Sequence, residues 1–177
     1  LSKTLPGASE FNPVVSLERS ENLIACSTRD NVCLLDLRNI GGQFLVEQQT
    51  VNSESGVNVA RFIRSADELQ LAVTQIGSKT VKVFDTRRSL LTEKLLKTKR
   101  KILSIAFNKR DFEIAVLEGS EKPVVSFFDA ETMAESDQLK ASPDCIDVKF
   151  SSDSDSLITF GTKACQVYCF DSQTIVV

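Results

Sequence analysis

The densest reactive chemistry in the chain is the segment Lys94-Leu-Leu-Lys-Thr-Lys-Arg-Lys101. It places five basic residues, Lys94, Lys97, Lys99, Arg100 and Lys101, within eight positions. A second basic pair, Arg87-Arg88, ends six positions earlier. Cationic groups this close together can gather phosphates or carboxylates. The segment is therefore a candidate contact for an acidic protein, for nucleic acid or for a phosphoinositide. The competing reading is a solvated outer strand whose lysines keep a free sheet edge from pairing with another chain. No aromatic residue interleaves with the basic ones, so the stacking platforms that hold single-stranded nucleic acid are missing. The whole chain carries a formal charge of −3 and offers a polyanion no overall attraction.

The other reactive residue types point away from catalysis. There is no histidine, which removes the usual general base, the Ser-His and Cys-His nucleophile pairs and the commonest metal ligand. The five cysteines, Cys26, Cys33, Cys145, Cys165 and Cys169, are odd in number, show no C-x-x-C spacing and lie in or beside apolar stretches. They read as free thiols in a reducing intracellular compartment, cytoplasmic or nuclear. Gly41-Gly42 and Gly119 lack the context of a phosphate-binding loop. The stretch Ser151-Ser-Asp-Ser-Asp-Ser156 has the look of an acidic kinase target, yet it falls where the chain needs a polar turn. The expectation is a protein with no catalytic constellation, no cofactor and no metal. No apolar run approaches the roughly 18 to 20 residues that span a bilayer, and "LSKTLPGASEFNP" lacks the apolar core of a signal peptide.

The elements that carry these residues repeat. Phe84-Asp85, Phe128-Asp129 and Phe170-Asp171, with Leu35-Asp36 as a weaker version, recur at spacings of 49, 44 and 42. A second series, "VNVARF" ending at Phe62, "ILSIAF" at Phe107 and "CIDVKF" at Phe150, recurs at 45 and 43, and "PVVSL" ending at Leu17 begins the first unit. Two markers keeping one period in the forties indicate an array of repeats. Each unit offers an alternating first strand, such as Ile102, Ser104 and Ala106 against Leu103, Ile105 and Phe107. A polar turn follows, then a second apolar strand with a small residue at Ala25, Ala72 or Ala115. Another turn leads to a third strand that closes on the aspartate. A less apolar fourth segment then leads onward, and "ETMAESDQLK" in this place reads as an edge strand. The fold class is all-β, built from four-stranded units at approximately 14–50, 57–99, 101–141 and 144–177, together forming one domain over 1–177.

Four strands in this period are the arithmetic of a β-propeller blade. The stretch "ARFIRSADELQLAVTQIGSKTVKVFD" closely resembles a WD40 repeat, with Phe-Asp where that family has Trp-Asp. The resemblance implies that each terminal aromatic packs between neighbouring blades, while each aspartate closes its strand with a turn toward the outer strand. With no histidine, the family's Gly-His pair is absent, so the blades are expected to be held mainly by apolar packing. Rings of this family have about seven blades, and "QTIVV" falls where a fourth outer strand should be starting. The chain is therefore expected to be a section of a larger propeller, completed in cis or by a partner chain. Phosphoinositide-binding propellers carry Phe-Arg-Arg-Gly, but here Arg87-Arg88 stands between Thr86 and Ser89.

The resemblance implies a non-catalytic scaffold that binds other proteins of a eukaryotic intracellular complex. Contacts are expected in the turns "STRDN", "IGSKT", "EGSEKP" and "GTKA", through residues such as Arg29, Lys79 and Lys122. The alternative is an electrostatic module that engages a phosphoinositide membrane or nucleic acid through Lys94–Lys101 and Arg87-Arg88.

Overall fold

The structure is a computed structural model. It describes residues 14–20, 22–28, 31–36, 49–50, 56–65, 68–86, 92–119, 121–170 and 174–176. Sixteen strands are found among the described residues, and they form four sheets, each a simple antiparallel meander. The first holds β1 (Val14–Ser20), β2 (Leu23–Thr28), β3 (Asn31–Asp36) and β4 (Gln49–Thr50). The second holds β5 (Val57–Ser65), β6 (Glu68–Gln75), β7 (Thr80–Asp85) and β8 (Thr92–Lys97). The third holds β9 (Lys101–Asn108), β10 (Glu113–Gly119), β11 (Val124–Asp129) and β12 (Glu135–Lys140). The fourth holds β13 (Cys145–Phe150), β14 (Ser156–Gly161), β15 (Cys165–Cys169) and β16 (Thr174–Val176), so an outer strand does form within the sequence "QTIVV".

The first strands lie side by side, β1 against β5, β5 against β9 and β9 against β13. The sheets stand face to face, with one apolar layer between each successive pair. Phe84 joins Leu71 and Val73 in the layer against Leu34 of the first sheet. Phe128 joins Ile105 and Ile114 in the layer against Val83 and Leu96 of the second. Phe170 packs on the third layer, its ring stacked 6.0 Å from Phe150 and edge-on to Phe127 at 6.1 Å. The three terminal aromatics thus each face the preceding sheet, which is the inter-blade packing that the resemblance implied. The middle strands are covered on both faces, so Ile114 to Leu117 is fully buried and reads as a continuous apolar run without alternation.

The strand-closing role of aspartate is visible at Asp129. Its Oδ1 accepts the backbone N–H of Glu131 at 3.1 Å, and the N–H and hydroxyl of Thr132 at 2.7 Å each. These bonds hold its carboxyl below the usual carboxylate range, with the Thr132 N–H bond the largest cause. Asp85 is buried at the matching place. Leu35 and Asp36 lie at the end of β3, where the structure describes the backbone only, and Asp171 lies outside the described residues.

One expectation needs correction, that of simple alternation in the first strands, while polar clasps add to the apolar packing of the blades. Glu118, 2% exposed, accepts the Ser126 hydroxyl at 2.6 Å and the Arg100 backbone N–H at 2.9 Å, and Gln138 donates to Ser126 Oγ at 3.0 Å. In the fourth sheet the Asp144 carboxylate accepts the Ser142 hydroxyl and the Lys163 N–H, at 2.5 and 2.7 Å. Carboxylates therefore tie turn to sheet in the third and fourth sheets. The first strands depart from simple alternation. Each carries one extra residue opposite its partner: Val15, Asn58, Leu103 and Ile146. The bulge flips the phase, so Ile102 shares a layer with Ile105, and Leu103 turns out to solvent.

Candidate functional site

Antiparallel meanders bring the turn after each second strand and the connection into each next sheet to the same end of the molecule. Hydrogen bonds fix that gathering. The Lys79 carbonyl accepts the N–H of Thr98 at 2.8 Å and its hydroxyl at 3.0 Å, while the Ser78 carbonyl accepts the Ile102 N–H at 2.8 Å. The Arg100 guanidinium donates to the Lys122 carbonyl at 2.5 Å. Gly77 permits the tight β6–β7 turn, because its φ of 74° is one that side-chain-bearing residues rarely adopt. At the β14–β15 turn, a Cβ on Gly161 would come within 2.6 Å of the Asp144 carboxylate, so only glycine leaves room for that clasp.

The predicted basic residues fare differently. Lys79, Lys97, Lys101 and Lys122 have exposed side chains at this end. Lys99 is ion-paired with Glu135 at 3.0 Å, Lys94 donates to the Glu131 carbonyl at 2.7 Å, and Arg100 is half-buried in the two bonds already described. Three of the five cations of Lys94–Lys101 thus fasten the second sheet to the third, and Lys97 and Lys101 remain turned outward. Arg29, Arg87 and Arg88 lie outside the described residues. Of the carboxylates here, Glu118 is buried, Asp144 is engaged with the Ser142 hydroxyl and the Lys163 N–H, and Glu121 beside Lys122 is exposed.

Sequence reasoning missed the apolar part of this end. The bulges expose Leu103, 37%, and Ile146, 57%, on neighbouring first strands, and Ile76 in the β6–β7 turn is 51% exposed. Together with Lys79, Lys101, Lys122 and Lys163 they make an end with exposed apolar side chains among cations. An alternating pattern sends Leu103 inward with Ile105, so the bulge left no mark that a reading of periodicity could use. Among the described residues, no group of three or more metal-ligating side chains converges, and no helix is long and apolar enough to cross a membrane.

Face-to-face four-stranded meanders around a shared row of first strands define a β-propeller. The fold is similar to that in the solved structure of the Dos1 propeller, with a TM-score of 0.72 at 11% sequence identity. The match covers 93% of this chain and 48% of that one, so the chain spans about half the length of its structural neighbour. No family model matches the sequence, and no curated protein matches it.

Proposed function

We propose that the chain is a protein-interaction scaffold of divergent WD40-type blades, acting without chemistry of its own, and that it docks an acidic protein on the end bearing Lys79, Lys97, Lys101 and Lys122. The observation that carries this reading is the pairing of exposed Leu103, Ile146 and Ile76 with cations at one end of the propeller. Protein interfaces combine apolar anchors with a charged rim, and the rim sets steering and register. A purely electrostatic surface has no use for the apolar residues. The polyanion alternative has the weaker support, because Lys94, Lys99 and Arg100 already hold partners within the chain.

The WD40 reading is supported by the Phe-Asp strand endings, the layered aromatics and the turn at Asp129. The chain is read as part of a larger ring, completed in cis or by a partner chain, in line with its covering 48% of its structural neighbour. Free, buried Cys26 and Cys145 support an intracellular, reducing setting in a multiprotein complex. A photo-crosslinking side chain placed at position 79 or 146 is expected to capture one protein, and the same side chain at position 64 is not. Equal capture from both ends would refute the assignment.

A further inference from the structure

We propose that Ser152 is a phosphorylation site for an acidophilic serine kinase, and that Lys109 and Lys149 hold the phosphate it gains. This modification is independent of docking at the other end and needs only an intracellular supply of ATP. The stretch Ser151-Ser-Asp-Ser-Asp-Ser156 carries two readings, a polar turn and an acidic kinase target, and the structure divides its serines between them. The Ser151 hydroxyl donates to the Asp153 carboxylate at 2.5 Å and accepts the Ser156 N–H at 3.0 Å. Ser154 is buried with a φ of 67°, and its N–H donates to the Ser151 carbonyl at 3.0 Å. The Ser156 hydroxyl donates to the Cys169 sulfur at 3.6 Å. Ser152 alone is exposed, and its hydroxyl holds no partner among the described residues. Three serines build the turn, and the fourth is left free at its tip.

Asp153 follows Ser152 directly and Asp155 stands three positions on, so a basic kinase cleft would meet charge at both places. Hydrogen bonds from the Ser151 hydroxyl and the Asp155 N–H hold the Asp153 carboxyl below its usual range, which keeps it ionised at neutral pH. The Asp155 side chain pairs with Arg110 and still stays 44% exposed. In the transfer, Ser152 Oγ bonds to the γ-phosphorus of ATP and the bond from that phosphorus to ADP breaks. The hydroxyl proton passes to the base of the kinase. Ser152 lines a cavity of about 350 Å³ together with Lys109 of the β9–β10 turn and Lys149 of β13. Neither lysine pairs with a carboxylate among the described residues. Two exposed lysines would hold a free anion poorly, but a phosphate tethered at Ser152 is kept beside them by the chain itself. Its charge of about −1.5 to −2 at neutral pH can accept a charge-assisted bond from each. Lys109 belongs to the third sheet and Lys149 to the fourth, so the phosphate adds a link across their junction next to the Arg110–Asp155 pair.

The folded chain, incubated with an acidophilic serine kinase and ATP, is expected to gain one phosphate, located on Ser152 by peptide mass. Ser152→Ala should lose it, and Asp155→Asn should slow incorporation by on the order of tenfold, both with unchanged circular dichroism spectra. On the modified chain, phosphorus NMR follows the second ionisation of the phosphate, which lies at about 6 without neighbours. Lys109→Gln and Lys149→Gln should each raise that pKa, because each removes a cation that favours the dianion. No phosphate on the folded chain under conditions that modify a peptide of residues 147–160, or phosphate on Ser151, Ser154 or Ser156 instead, would overturn the site. A titration unmoved in both glutamine variants would overturn the lysine clasp.

Discussion

At the residue scale, single polar atoms decide how each blade turns. Asp129 satisfies two backbone N–H groups and one hydroxyl with one oxygen, so Asp129→Ala should cost about 1–2 kcal/mol in urea unfolding, as the loss of a helix cap does. Its depressed pKa sets the sign of the pH effect. The stabilisation is full above the unfolded value of 3.8 and is lost as pH falls through the lower folded value. The thiols differ by position. Cys165 is exposed, while burial pushes the Cys145 thiol up and Cys26 is enclosed. Iodoacetamide on the native chain is expected to label Cys165 well before Cys26 or Cys145, as read by peptide mass; equal labelling would contradict the burial.

At the scale of the element, the repeat was legible because apolar packing recurs. Phe84, Phe128 and Phe170 fill equivalent places, and the runs around Ala72 and Ala115 are the doubly covered strands. What escaped the sequence were features that depend on a neighbour across the sheet. Glu118 ends a strand as any solvated glutamate would, and only the approach of Arg100 and Ser126 makes it an internal clasp. Glu118→Ala leaves those donors unpaired and should destabilise by about 2–4 kcal/mol by chemical unfolding. Glu113 behaves oppositely to Asp129. Burial raises its pKa above 4.5, outweighing the Ser136 hydrogen bond, and Asp111, Asp137 and Asp129 add repulsion. The fold therefore binds more protons than the unfolded chain just above pH 4.5, and stability falls as pH rises through that window. Glu113→Gln is expected to be the more stable form at neutral pH, with the difference fading toward pH 4.

At the scale of the whole molecule, the three inter-sheet layers join the blades into one body. Phe128 belongs to the layer between the second and third sheets, so Phe128→Ala should cost about 3–5 kcal/mol. Limited proteolysis should then cut first near 98–100, the connection between those sheets. The architecture was readable from the period, but the two ends were not. Lysines at 79, 97, 101 and 122 are scattered in sequence, and the meander alone gathers them beside the bulged Leu103 and Ile146. Docking at that end is the central claim. Native mass spectrometry of the complex purified under mild salt, with the wild-type chain and with Lys79, Lys97 and Lys101 all changed to Glu, tests it most directly. The wild type is expected to carry one protein partner at fixed stoichiometry, and the variant, with an unchanged circular dichroism spectrum, to have lost it. A partner retained by the folded variant, or a nucleic acid or lipid in its place, would contradict the claim.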